Sequence, residues 1–307
     1  MKKVFFLDTV HAILEKRLTA SGYLCIDVTK VPVQELKTML REAVGIVIRS
    51  RITLNQNILS LCPKLKFIAR SGAGLENIDL QYCKKNNIVV YNSPEGNRNA
   101  VAEHCIGFLL SLLNNFKQAE KDLNNGDWLR EKSRGIEING LCVGIIGYGN
   151  NGRAFAERLS DLGAKVLVYD RYKKNFSKGR IKESSMEEIF KEVNVISFHV
   201  PLNIDTAYMA DYQFFRSFNR PIWVLNISRG KVLKTKDLIQ ALNDELVLGA
   251  ALDVLDEESK SFDIQEVNEL LIDLNKRTNV VLTPHVAGWT KESYFKLSDV
   301  LADKILK

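Results

Sequence analysis

At 307 residues the chain is longer than one hydrophobic core usually serves, and about two domains of 100–200 residues are expected. With 46% apolar and 26% charged residues it has an ordinary globular composition; no apolar stretch approaches the ~18 residues that span a bilayer, and Met1-Lys-Lys-Val-Phe-Phe-Leu-Asp8 is too short for a signal peptide, so a cytosolic protein with no membrane partner is expected. The net charge of +6 is spread along the chain without basic blocks, which favours a small anionic substrate over nucleic acid; Cys25, Cys62, Cys83, Cys105 and Cys142 are scattered and never spaced C-x-x-C, which suggests neither a disulfide framework nor a thiolate zinc site.

Short apolar runs alternate with helix-length segments from end to end, the pattern of parallel α/β sheets. The first series predicts strands at Val4–Leu7, Tyr23–Asp27, Val44–Ile48, Phe67–Ala69 and Ile88–Val90. A long helix over residues 99–123 follows, with a broad apolar face that suits core packing and subunit contact equally. The second series predicts strands at Leu141–Ile146, Val166–Tyr169, Val195–His199, Trp223–Ile227, Leu248–Leu252 and Val280–Leu282, so two doubly wound sheets are expected. A last helix, Lys291 to Leu306, has no strand left to cross to in the second sheet and is expected to return to the first domain.

The first strand of the second series runs into Gly147-Tyr-Gly-Asn-Asn-Gly152, and a helix-like segment, Arg153 to Leu162, follows. Strand, G-x-G-x-x-G and helix in that order form a dinucleotide-binding fingerprint. Gly147 permits the tight turn, Gly149 lets the backbone approach a pyrophosphate, Gly152 lets the helix pack on the strand, and the helix N-terminus offers free N–H groups to the anion. Asp170 ends the next strand, where it can accept hydrogen bonds from a ribose 2′-hydroxyl and repel a 2′-phosphate, favouring NAD over NADP; Arg171, Lys173 and Lys174 pull the other way.

Three further polar residues follow strands, at the sheet edge where open α/β sheets bind ligands: Arg229 in Asn226-Ile-Ser-Arg-Gly230, Glu258 in Asp253-Val-Leu-Asp-Glu-Glu258, and His285 in Thr283-Pro-His-Val-Ala-Gly-Trp289. Together they suit hydride transfer at a carbon bearing oxygen. Histidine, whose ordinary pKa is about 6.5, can take or give the hydroxyl proton; a carboxylate behind it fixes its tautomer; a guanidinium holds an α-carboxylate through two hydrogen bonds. Of the other histidines, His11 and His104 fall in predicted helices and His199 ends a strand.

The segments Val47-Ile-Arg-Ser-Arg51, Ala69-Arg-Ser-Gly-Ala-Gly-Leu-Glu-Asn-Ile-Asp79, Asn92-Ser-Pro-Glu-Gly-Asn-Arg-Asn-Ala-Val-Ala-Glu-His104, the fingerprint, Phe198-His-Val-Pro-Leu202, Asn226-Ile-Ser-Arg-Gly230, Gly249-Ala-Ala-Leu-Asp-Val254 and Thr283-Pro-His-Val-Ala-Gly288 occur in one order. In this the chain resembles the D-isomer-specific 2-hydroxyacid dehydrogenase family over nearly its whole length. The resemblance implies an NAD-dependent enzyme whose arginine, glutamate and histidine triad is Arg229, Glu258 and His285. It implies cofactor contacts at Gly147, Gly149, Asn150, Asn151, Gly152, Asp170, Ile227, Ser228, Asp253 and the loop from His285 to Gly288. It implies a substrate carboxylate bound by the backbone of Ser71-Gly72-Ala73-Gly74, with Arg49 and Asn97 nearby.

The same resemblance implies a flavodoxin-like substrate domain of residues 1–95 completed by the C-terminal helix, 287–307, and a Rossmann-type NAD-binding domain of residues 96–286. Closure of the two is expected to exclude water. A homodimer through the helix 99–123 is implied, and no metal. The stretches around Arg49, Arg51 and Arg70 resemble the branch acting on 3-phospho-D-glycerate, in which arginines serve a substrate phosphate or lie as solvated surface. Glyoxylate, hydroxypyruvate or D-lactate reduction would use the same triad, and some family members are corepressors that sense the dinucleotide. The chain ends soon after its last helix, so feedback through a C-terminal regulatory domain is not expected. Two positions depart from the family pattern. Asn151 stands where an aliphatic residue is usual and Ser259 where proline is, which leaves Asp256 and Glu257 as alternatives to Glu258, placed first by its spacing from Asp253.

Overall fold

The computed structural model describes residues 1–256, 258 and 268–307. It divides into two compact units, one of Met1–Arg98 with Trp289–Lys307, the other of Asn99–Glu258 with the described part of 264–288.

The first unit holds a five-stranded, all-parallel sheet of β1 (Lys2–Phe6), β2 (Tyr23–Asp27), β3 (Ala43–Ile48), β4 (Phe67–Arg70) and β5 (Val89–Asn92) in the order β2-β1-β3-β4-β5. This is the flavodoxin-like order. The C-terminal helix, Lys291–Leu306, begins at a capping box between Thr290 and Ser293 and belongs to this unit. Its Leu301 and Ala302 join Val4, Phe6, Leu14, Leu18 and Phe67 in one core, and Arg17 holds Asp299 and Asp303 at 2.7 Å each.

The second unit holds seven parallel strands: β6 (Cys142–Ile146), β7 (Lys165–Tyr169), β8 (Ile181–Glu183), β9 (Val195–Phe198), β10 (Ile222–Asn226), β11 (Val247–Leu252) and β12 (Val280–Leu282). Their order, β12-β11-β10-β9-β6-β7-β8, reverses direction between β6 and β9, the Rossmann arrangement. Every residue of β6 and β9 is buried, which explains why these strands read as continuous apolar runs instead of alternating ones.

Three expectations need correction. The segment 99–123 is two helices, Pro94–Leu113 and Phe116–Asn124, because Asn115 adopts the left-handed conformation (φ 52°) and its side-chain amide donates to the Arg134 carbonyl. Val101, Cys105, Phe108, Leu109 and Leu112 of the first helix lie in the core of the second unit. His11 lies ahead of the helix Ile13–Ala20, where its Nδ1 accepts the Ile13 N–H. The short β8 at the sheet edge has no counterpart among the expected strands.

Candidate active site

The fingerprint sits where β6 and β9 part. A Cβ on Gly147, whose φ is 99°, would lie 2.5 Å from the His199 carbonyl oxygen, and one on Gly152 would lie 2.0 Å from the Gly147 carbonyl oxygen. A Cβ on Gly149 would meet nothing within 4 Å. Packing therefore requires the outer two glycines, while the middle one faces open space. Gly149 caps the helix Asn150–Asp161 without a side-chain hydrogen bond, and the first helical bond runs from Arg153 N to Gly149 O at 3.1 Å. The N–H groups of Asn150, Asn151 and Gly152 precede that bond and suit a pyrophosphate. Asn151 Oδ1 is buried and accepts no hydrogen bond among the described residues.

A cavity of about 280 Å³ opens beside the fingerprint, lined by Gly147, Gly149, Tyr169, Asp170, His199 and Asp205 among others. The Asp170 carboxylate accepts N–H bonds from Tyr148 at 2.7 Å and from Tyr172 and Lys173 at 2.9 Å. Burial pushes its pKa up, but these backbone N–H groups and the Lys173 charge outweigh burial and hold it below the ordinary aspartate value. Beneath the turn, His199 is half-buried beside Phe155, its Nε2 2.8 Å from Ser197 Oγ and its Nδ1 out of reach of solvent, and desolvation pushes its pKa down to about 3. It is a neutral support of the glycine turn.

The three residues of the expected triad follow β10, β11 and β12. After β10, Asn226 Oδ1 accepts from Ser228 N and Oγ, and its Nδ2 donates to the Arg229 carbonyl at 3.1 Å, so one amide closes the turn that carries Ile227, Ser228 and Arg229. Arg229 Nη1 donates to the Ser228 carbonyl at 2.6 Å. Gly230 presses that turn on the next one: a Cβ there would stand 1.7 Å from the Leu255 carbonyl oxygen.

After β11, Asp253 is 1% exposed, and its carboxylate accepts from Thr283 Oγ1 at 2.5 Å, Val286 N at 2.8 Å and Ala287 N at 2.9 Å. Its carbonyl accepts the His285 N–H at 2.8 Å. These bonds hold His285 in a left-handed conformation, φ 54°, that a non-glycine residue seldom adopts. His285 Nδ1 lies 2.7 Å from Glu258 Oε2, and Glu258 Oε1 accepts the Leu255 N–H at 2.8 Å. Asp256 instead accepts from the Thr235 hydroxyl, which removes it as the partner of His285, and Glu257 and Ser259 lie outside the described residues.

Sequence reasoning did not single out Asn226 or the partnership of His104 with Thr283. His104 Nε2 stands 3.1 Å from Thr283 Oγ1. Since the threonine hydroxyl donates to Asp253, His104 Nε2 is the donor in this contact. Burial lowers the His104 pKa, opposed by Asp253.

The first unit carries the other expected residues. In the turn after β4, Ser71 N donates to the Ile48 carbonyl at 2.9 Å and Gly72 N to Ser93 Oγ at 3.3 Å, while the Ala73 carbonyl accepts from Asn92 Nδ2 at 2.7 Å. The N–H groups of Ala73 and Gly74 make no hydrogen bond among the described residues. A Cβ on Gly72 would fall 1.4 Å from Arg70 Nη1, so the buried guanidinium fills the space that glycine leaves. Asn97 Oδ1 is buried without a partner among the described residues. Asp8 Oδ2 accepts the Arg49 N–H at 2.6 Å, and the Arg49 guanidinium lies 3.8 Å from the centre of the Trp289 ring, with no hydrogen bond to it among the described residues. Arg51 differs: Nη1 donates to the carbonyls of Leu7 at 3.2 Å and Val28 at 2.9 Å, and Nη2 to that of Val31. Its donors are spent on the backbone, which removes it from the cations available to a substrate phosphate.

Residues 106–287 match the family model "D-isomer specific 2-hydroxyacid dehydrogenase, NAD binding domain". The chain is 29% identical over 305 residues to a D-3-phosphoglycerate dehydrogenase of Homo sapiens, covering 98% of this chain and 55% of that protein. It is 29% identical over 286 residues to a glyoxylate reductase of Pyrococcus furiosus, covering 90% of this chain and 82% of that one. The chain thus spans about half the length of the phosphoglycerate dehydrogenases it matches. The crystal structure of a D-lactate dehydrogenase from Aquifex aeolicus, complexed with NAD and lactic acid, superposes with a TM-score of 0.84 at 28% identity, covering 99% of this chain and 94% of that one. Among the described residues no helix is long and apolar enough to cross a membrane. The match over most of the second unit, on a sheet of Rossmann order that presents the fingerprint at its switch point, means that the chain belongs to the D-isomer-specific 2-hydroxyacid dehydrogenase family, with NAD as the cofactor of its second unit.

Proposed function

We propose that this protein interconverts a D-2-hydroxy acid and its 2-oxo acid, with 3-phospho-D-glycerate and 3-phosphohydroxypyruvate, the pair of serine biosynthesis, as the first substrates to test. The observation that carries the reading is the 2.7 Å contact between Glu258 Oε2 and His285 Nδ1. With Nδ1 committed to the carboxylate, proton transfer falls to Nε2, and Glu258 both orients the ring and stabilises it when charged. During oxidation of the alcohol, His285 Nε2 takes the hydroxyl proton as the C2–O bond becomes a carbonyl; in reduction it returns that proton. Arg229 holds the substrate carboxylate and stabilises negative charge on the reacting oxygen. NAD, when bound, supplies the hydride acceptor, and NADH the donor. The first-turn N–H groups of Asn150, Asn151 and Gly152 hold its pyrophosphate and Asp170 its ribose, while Ile227, Ser228, Asp253 and the loop to Gly288 serve the remainder. The free N–H groups of Ala73 and Gly74, with Arg49 and Asn97, bind the substrate's anionic end.

The loss of Arg51 to the backbone favours a second reading, reduction of a smaller unphosphorylated acid such as glyoxylate, hydroxypyruvate or pyruvate. Absorbance at the NADH band with purified protein, both directions and 3-phospho-D-glycerate, D-glycerate, D-lactate and their oxo acids, separates the two. Preference for the phosphorylated pair supports the first, and turnover confined to unphosphorylated acids the second. Tight NADH binding with no turnover would replace both by a corepressor-like role.

The subunit contact we propose is a homodimer through the helical region 99–123, supported by the exposed Phe116, Leu123, Trp128, Leu129 and Ile136 on and after its second helix. Light scattering that returned 34.8 kDa would reject it. A cytosolic location fits the five free cysteines.

A further inference from the structure

Three cations follow Asp170, and each is a natural partner for the 2′-phosphate that distinguishes NADP from NAD. The structure gives all three other partners. Lys173 Nζ donates to the Tyr148 carbonyl at 2.6 Å, and Lys174 Nζ lies 3.2 Å from Glu183 Oε1. Arg171 Nη1 lies 2.6 Å from Asp205 Oδ2. Asp205 comes from the loop after β9, and it lines the cofactor cavity together with Asp170 and Arg171, which follow β7.

The loop that carries Asp205 is built to hold it. Asn203 Oδ1 accepts the N–H groups of Asp205 at 2.9 Å and Thr206 at 3.1 Å, and the Thr206 hydroxyl donates to the Pro201 carbonyl at 2.6 Å. The backbone that carries the carboxylate is therefore held at a defined place on the rim. Its side chain and that of Arg171 are 51% and 57% exposed, so the ion pair itself adds little stability. Its consequence is for the charge that a ligand meets. Asp205 neutralises the arginine next to Asp170, so that this guanidinium no longer offers its charge to a ligand on the rim.

We propose that Asp205 is a specificity-determining residue for the cofactor: by engaging Arg171 it withholds that guanidinium from a 2′-phosphate and so reinforces the preference for a free 2′-hydroxyl that Asp170 sets. The proposal rests on the reading of this cavity as the adenosine end of the dinucleotide site. It accounts for why a basic run directly after Asp170 is compatible with NAD as the cofactor. Removing the Asp205 charge frees Arg171 and removes one negative charge from the neighbourhood of the phosphate. Removing Arg171 as well takes the benefit away.

The test is equilibrium binding of NADH and NADPH to the intact, substrate-free protein, by nucleotide fluorescence at low salt. Asp205→Asn and Asp205→Ala should each tighten NADPH roughly five- to tenfold, as expected when a surface charge is removed and another released, while NADH changes by less than about twofold. Asp205→Glu should bind both as wild type does, and Arg171→Ala in the Asp205→Asn background should abolish the gain. The gain should shrink at about 0.5 M salt, where the screening length falls to a few ångströms. An NADPH affinity unchanged within twofold in both charge-removing variants, with NADH binding intact, would overturn the proposal. Wild-type protein that bound neither nucleotide would instead overturn the reading of the cavity.

Discussion

His199 should make the second unit sensitive to mild acid. Its imidazole lies beneath the glycine turn with Nδ1 shut off from solvent, and this desolvation holds its pKa at about 3, against about 6.5 in the unfolded chain. A depressed folded pKa means that the unfolded chain binds the proton first, so the stability tied to this group is present above about pH 6.5 and is lost as pH falls toward the folded value. At about pH 5 the loss is set by the unfolded pKa alone: ~1.4 kcal/mol for each of ~1.5 pH units, or about 2 kcal/mol. His104, also lowered by burial, adds to the acid sensitivity of wild type and variant alike and cancels in their difference. The perturbation is His199→Gln, which cannot titrate. Urea unfolding would be followed through Trp128 and Trp223, with Trp289 replaced by phenylalanine so that the signal reports the unit holding His199. Between about pH 7.5 and about pH 5 the histidine protein should lose ~2 kcal/mol more than the glutamine variant. Equal losses within ~0.5 kcal/mol would mean that position 199 takes up its proton in the folded state, and the argument from burial would fail.

Glu258→Gln should lower turnover by ~10²-fold or more with NADH affinity nearly unchanged, because the amide no longer supplies the charge that orients and stabilises the ring; turnover within threefold of wild type would remove Glu258 from the mechanism. Gly152→Ala should weaken NADH binding at least tenfold, since the added methyl would stand 2.0 Å from the Gly147 carbonyl oxygen; calorimetry showing wild-type affinity would refute that packing. Arg51→Met should lower the stability of the first unit by ~2–4 kcal/mol by stranding the carbonyls of Leu7, Val28 and Val31, with KM for the acid little altered. Arg49→Met should do the reverse, raising KM with a stability change below ~1 kcal/mol, and an exchange of the two outcomes would reverse their assigned roles.

The contrast between Arg49 and Arg51 marks how far the sequence could be read. Apolar runs bounded by polar segments announce a strand wherever a parallel sheet buries both faces, and β6, β9 and β10 were legible for that reason. Residues just past those runs stand at the sheet's carboxyl edge, so the positions of Asp170, Arg229, Asp253 and His285 followed from the runs themselves. The short β8 has a single buried residue, Ile181, and is held by pairing with β7, a signal that lies outside its own three residues. The helix break at Asn115 depends on an amide reaching the distant Arg134 carbonyl. Arg49 and Arg51 share a residue type and a sheet edge, yet one stacks on Trp289 from the far end of the chain and the other fills three carbonyls in the loops after β1 and β2. Asp205 and Arg171, from the loops after β9 and β7, meet in the same way. Local pattern thus locates a functional edge, because the period of burial is a local property. Which cation on that edge stays available to a ligand is decided by partners brought in from elsewhere in the fold, and so by topology that no window of sequence contains.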